Sequence, residues 1–270
     1  MDSVVYFVDA ASPLDVNPDG SIELDIRLGA GPGLRAGVDG SGDSDLLLAD
    51  DASTKSTTGL ARNVEVALDD GNSVLPIMVS YTCNHAGGNV EMRLNDETSL
   101  MHGFGNYILA LELAAAARDE EHPVPAGFAI NPDFLSACQQ ADLPPEYEVW
   151  MRRLLLCALD YRNIDIQVPD SITDTLRGYV LSVNWLSRLV GPHATFGWHV
   201  NPCLKGRSQW IHSNNATVVD SATKMTAYVG SLGVFDGDGT PPDFFTVDCY
   251  EADDFTHRGY DYDYCFGPPE

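Results

Sequence analysis

"SVLPIMVSYTC" (residues 73–83), "SLMHGFGNYILALELAAAARDEE" (99–121) and "PAGFAINPD" (125–133) follow one another, and their reading decides the fold. The first is a short apolar run of strand type. The second has Thr98 or Ser99 as an N-cap and an Ala/Leu-rich body, which predicts a helix. The third is again a strand, ending at Asn131 and Asp133. Both strands are apolar nearly throughout, as strands covered on two faces are. Strand, helix and strand in this order form the repeating unit of a parallel sheet.

The pattern extends toward the C-terminus. "PPEYEVWMRRLLLCALDYR" (144–162) reads as a helix with Pro in its first turn. "NIDIQVPDS" (163–171) reads as a strand, and 172–191 as a helix stopped by Gly191 and Pro192. "ATFGWHVNP" (194–202) is a strand, 220–235 a helix opened by Asp220 or Ser221, and "DFFTVDCYE" (243–251) a strand. Toward the N-terminus, "SVVYFVDAASP" (3–13) opens with another apolar run. Between Leu14 and Asn72 the chain turns polar, and "SIELDIRLG" and "NVEVALDD" alternate as half-exposed antiparallel strands do. The expectation is an α/β chain with a single (β/α) barrel-like domain over 1–270. A peripheral, β-containing insertion occupies 14–72. Only about six core strands are legible against the eight of a closed barrel, so the barrel reads as incomplete.

Composition bounds the function. The 270 residues are 44% hydrophobic and 20% charged, which suits a buried core. Forty acids against fifteen bases give a net charge of −25. That field repels nucleic acid and anionic membrane, and is compatible with neutral sugars, with cations or with a salty habitat. No stretch approaches the length of a membrane span. "MDSVVYFVDA" lacks the features of a signal peptide; a secreted protein whose leader lies outside this chain is expected. The six cysteines form no C-x-x-C pair, which argues against a zinc ribbon. Cys157, in an apolar helical run, reads as a buried free thiol. No Gly-x-Gly-x-x-Gly or P-loop follows a strand, and no G-x-S-x-G or H-E-x-x-H occurs.

In parallel α/β folds chemistry collects at the carboxyl ends of strands. Those ends carry Asp9; Tyr81, Asn84 and His85; Asn131 and Asp133; Gln167 and Asp170; Trp198, His199 and Asn201; and Asp248, Tyr250, Glu251 and Asp253. Acids beside Trp and Tyr are what glycoside hydrolysis requires: one carboxyl protonates the leaving oxygen and another activates water or attacks carbon. Glu251, Asp248 and Asp133 are the candidate catalytic carboxylates. Asp9, Tyr81, Asn131, Trp198, His199, Asn201 and Tyr250 are the candidate sugar contacts. Each has a plainer reading: Asp9 as a turn cap, Asp133 as the N-cap of a helix after Pro132, Trp198 as core, Asp253 and Asp254 as a solvated turn. Trp150 and Trp185 read as packing residues. No metal or other cofactor is required. If an ion binds, calcium at "DGSGDSD" (39–45) or at 236–238 is expected rather than zinc.

The segments "IMVSYTCNHAGG", "GFAINPDFL", "TFGWHVNP" and "DFFTVDCYEADDF" together resemble barrel-type carbohydrate-active enzymes. They are similar to a group of secreted bacterial proteins carrying "NPD", "GW-x-VN" and "D-x-YEADDF" at strand ends, and more distantly to the inverting cellulases on a distorted barrel. The resemblance implies a barrel, secretion and a polysaccharide substrate, with β-glucan of the cellulose type favoured. The chain departs from the cellulase pattern at "NHAGG" and at Asn131, where those enzymes carry their acid and a Glu, so catalytic roles do not transfer. Two alternatives stand beside a glycosidase. One is a non-catalytic carbohydrate-binding or structural protein on a degenerate barrel. The other is a metal-dependent hydrolase using His85, His199 and nearby acids.

Overall fold

The structure, a computed structural model, describes residues 46–50, 52–68, 71, 73–83, 89–200, 215–236 and 241–247. In chain order these form α1 (Ser53–Leu68), β1 (Ile77–Ser80), α2 (Val90–Leu94), α3 (Glu97–Ala116), β2 (Gly127–Ile130), α4 (Phe134–Gln140), α5 (Arg152–Tyr161), α6 (Leu176–Val190), β3 (Thr195–Val200), α7 (Asn215–Ser231) and β4 (Phe244–Val247). The four strands make one parallel sheet in the order β1-β2-β3-β4. The class is therefore α/β, with helices around a parallel sheet.

Register decides which side of each strand meets the helices. Paired residues of a parallel ladder share a face, so Met78, Phe128 and Phe196 lie together, with Ile130 and Trp198 two residues further along. All five are buried. Phe128 meets Tyr107 of α3 edge-on at 5.8 Å, and Phe134 of α4 lies 6.4 Å from Trp198. From α6, the Arg188 guanidinium sits 4.5 Å over the Phe196 ring. Thus α3, α4 and α6 all pack on that one face. The opposite face carries small residues: Gly127, Ala129 and Gly197. A Cβ at Gly197 would stand 2.3 Å from the Phe244 ring and 2.4 Å from its carbonyl oxygen, so only glycine lets β4 lie against β3 here. Asp243 fastens the start of that pairing. Its carboxylate accepts from Phe196 N–H at 2.9 Å and from Arg188 at 2.8 Å.

Several elements differ from the sequence expectation. Residues 63–68 are not an exposed strand but the end of helix α1. Val64 is buried while Val66 is 80% exposed; Thr57, Ala61 and Val64 make a buried helical stripe, of which Ala61 and Val64 pack with Val74, and α1 lies beside α3. "NVEVAL" alternates, but a helix that buries i and i+3 satisfies the same residues. "SIELDIRLG" lies outside the described residues. Residues 163–171 form no strand: Asn163 takes a positive φ of 58°, and Arg152 donates to the carbonyls of Val168, Pro169 and Ile172. These bonds replace a ladder. The helix expected from Pro144 starts at Arg152 instead. Before it, Glu148 bridges Thr175 in antiparallel fashion, and Trp150 is 60% exposed rather than packed. Cys157 is exposed, not buried; among the described residues the buried free thiols are Cys83 and Cys138. Helix α3 is capped by Asp96, whose side chain accepts from Ser99 N–H at 3.0 Å, so neither Thr98 nor Ser99 is the cap.

Candidate functional site

At the carboxyl end of β1 the chain runs through Tyr81, Thr82 and Cys83; at that of β2 through Asn131, Pro132 and Asp133; and β3 ends in His199 and Val200. Two of these ends, those of β1 and β2, are tied into one unit by Asn131. Its side-chain oxygen accepts from Thr82 N–H at 2.7 Å and from Cys83 N–H at 3.3 Å. Its amide nitrogen donates to Thr82 Oγ1 at 2.8 Å and to the Tyr179 hydroxyl at 3.1 Å. Thr82 Oγ1 and the Tyr179 hydroxyl also bond each other. Asn131 is fully buried and holds a φ of 47°, a left-handed conformation that Asn tolerates better than most residues. Both ends of its amide are engaged within the protein, so its work is to fix the β1 and β2 ends in register and to dock them on α6.

Trp198 is also internal. It is fully buried against Phe134, and its indole N–H donates to Asn184 of α6 at 2.7 Å. Asn184 in turn donates to the Val234 carbonyl at 3.0 Å. Stacking on a sugar needs an open ring face, and this ring has none; the core reading of Trp198 is the one its surroundings fit.

Asp133 and His199 behave differently. Asp133 occupies the N-cap position of α4, but its φ is 64° and its side chain makes no capping bond. His199 stands one residue beyond Trp198 on β3, and Asp133 follows the end of β2; the two lie close enough for the Asp133 charge to act on the ring. His199 is half-buried, and its Nδ1 is buried without a hydrogen-bond partner among the described residues. Burial lowers its pKa from the ordinary histidine value, and the Asp133 charge offsets part of that. Tyr81, half-buried, lies at the same end. Cys83 lies there too, but burial pushes its thiol up to about 12, which leaves it protonated and unreactive.

The structure thus brings Tyr81, Asn131, Asp133, Trp198 and His199 to one end of the sheet, two of them as internal supports. Asp9, Asn201, Asp248, Tyr250 and Glu251 lie outside the described residues, as do His85 and the 39–45 calcium candidate. Asp236 of the other calcium candidate pairs with Arg177 at 2.9 Å. Among the described residues no three His, Cys, Asp or Glu side chains converge as a metal site needs. Sequence reading missed Thr82, Tyr179 and Asn184. The available signal was polar residues at core spacing on α6, where Tyr179, Ser182, Asn184 and Ser187 are all buried.

No family model, no curated protein and no solved structure matches this chain. Among the described residues, no helix is long and apolar enough to cross a membrane.

Proposed function

We propose that the chain is a glycoside hydrolase acting on a polysaccharide, with β-glucan of the cellulose type as first candidate, on a barrel-like arrangement of its parallel strands. The observation that carries this reading is Asp133 and half-buried His199 at neighbouring carboxyl ends of consecutive parallel strands, close enough for the Asp133 charge to act on the ring. Consecutive strand order also suits a barrel, where each strand pairs with the next and helices cover the outer face. In the proposed chemistry Asp133 is one carboxyl group, and Glu251 or Asp248, carried beyond β4, is the other. One protonates the leaving oxygen while the second activates water or attacks the anomeric carbon. Tyr81 and His199 contact the sugar. Asn131 and Trp198 act from behind, by holding the strand ends in place. The protein is taken to be secreted.

The test is reducing-sugar release across glucans, xylans, mannans and chitin. On the substrate found, Asp133→Asn and Glu251→Gln should each lower turnover by about a hundredfold or more while the fold persists. If the intact chain cleaves none of these glycans yet is retained on one of them, the non-catalytic binding reading replaces this one. If Asp133→Asn keeps full activity, Asp133 is only a loop residue.

A further inference from the structure

At the opposite end of the sheet from the candidate site, one imidazole is held between two carboxylates. His122 lies in the connection from α3 to β2. Its Nε2 is 3.0 Å from Glu65 Oε2 on α1, and its Nδ1 is 2.8 Å from Asp119 Oδ1. The His122 side chain is only 10% exposed and that of Glu65 15%, so water screens their contact weakly.

The neighbouring bonds constrain which atoms donate and which accept around this ring. Asp119 Oδ1 already accepts from the His122 N–H at 2.7 Å and the Glu121 N–H at 3.0 Å. Glu65 Oε1 accepts from Arg62 at 2.7 Å and from the Val74 N–H at 2.6 Å. Both carboxylates are receiving, so each ring nitrogen must offer a proton to make its contact. A neutral imidazole has one N–H and one lone pair. It satisfies one carboxylate and turns its lone pair on the other. Only the doubly protonated ring donates to both.

What this ring holds is α1. The apolar residues under α1 form a small cluster apart from the main core: Ala61, Val64 and Val74, with Leu60 packed against them. Beside α3, further ties of α1 are polar. Arg62 reaches the Val74 carbonyl at 3.2 Å, and Glu65 joins the Val74 N–H just before β1 to His122 just before β2. The charged groups around the ring are Glu65 and Arg62 from α1 and Asp119 from the α3–β2 connection, where Arg118, Glu120 and Glu121 are its neighbours in sequence. With His122 charged, the quartet of Glu65, Asp119, Arg62 and His122 is neutral. With it uncharged, a net negative charge remains on a protein that is already strongly acidic.

We propose that protonated His122 is a pH-sensitive latch that fastens α1 to the sheet through Glu65 and Asp119. The sign follows from the bonding. Docking favours the charged ring, so the latch is fully closed below the ordinary histidine pKa of about 6.5 and opens as rising pH removes the proton from the docked state.

The test is amide hydrogen exchange on the full chain at about pH 5.5 and about pH 9, either side of the ordinary histidine value, compared as protection factors so that intrinsic rates cancel. Protection of α1 over Thr57–Leu68 should fall roughly tenfold or more at the higher pH, the loss expected for one charge-assisted hydrogen bond. Protection in α6 should change far less. In His122→Gln the pH dependence of α1 should vanish. Ring nitrogen NMR of the unaltered protein gives a second readout that needs no variant: both ring nitrogens of His122 should carry protons at the lower pH. Equal α1 protection at both pH values, a pH dependence that survives His122→Gln, or a ring with one proton at the lower pH would each overturn the latch.

Discussion

At the scale of single residues, the strand ends are set by buried polar side chains whose bonds are complete. Asn131 makes four such bonds from a left-handed backbone. Asn131→Ala leaves buried donors and acceptors of Thr82, Cys83 and Tyr179 without that partner and puts a Cβ residue with no local compensation at positive φ. A loss of about 3 kcal/mol in unfolding free energy is expected, read from urea denaturation. His199 offers the opposite case, a half-buried ring with one nitrogen unpartnered. Burial lowers its pKa and Asp133 offsets part of the effect. A histidine depressed in the folded state favours folding while neutral, so its contribution is present above the ordinary value and is lost as pH falls through the folded-state value. NMR titration of the His199 ring should therefore show a midpoint below about 6.5. Asp133→Asn should move it lower still. A midpoint that rises or stays put in that variant would mean the two groups do not feel each other.

At the scale of elements, glycines distinguish close packing from free surface. A Cβ on Gly103 of α3 would stand 2.2 Å from the Thr82 carbonyl oxygen, which is backbone and cannot swing aside. Gly103→Ala must push α3 off the β1 end, at a cost of about 3 kcal/mol. Gly59 in α1 and Gly230 in α7 meet nothing within 4 Å. There Ala removes unfolded-chain freedom and suits a helix, so Gly59→Ala and Gly230→Ala should each stabilise by about 0.5–1 kcal/mol. Thermal unfolding of the three variants side by side tests both halves. A neutral Gly103→Ala would show that α3 does not approach Thr82 as closely as described.

At the scale of the whole molecule, 40 acids and 15 bases leave a net charge of −25. Ion pairs such as Arg177–Asp236 and Arg188–Asp243 use several of the bases locally, and the rest of the acid surface repels itself. Salt at about 1 M shortens the screening length to about 3 Å. The melting temperature should therefore rise by several degrees between about 50 mM and about 1 M sodium chloride. A fall would mean that specific surface pairs outweigh the overall repulsion.

The amino-acid sequence by itself determined that this is an α/β chain with parallel strands, and it located β1, β2, β3 and β4 within a few residues. Apolar runs such as "IMVS", "GFAI" and "TFGWHV" suit strands of a sheet whose face is packed by helices. It also put Tyr81, Asn131, Asp133 and His199 at strand ends, because polar residues after apolar runs mark where a strand leaves the core. Tertiary structure alone decided the rest. Residues 53–68 became a helix because Ala61 and Val64, at helical spacing, meet Val74 just before β1. Residues 163–171 stayed irregular because Arg152 takes their carbonyls. Local pattern states which residues seek burial; it does not state what they will meet. For the same reason the sequence could name Trp198 and Asn131 as strand-end residues, but only packing against α6, through Asn184 and Tyr179, made them supports inside the core.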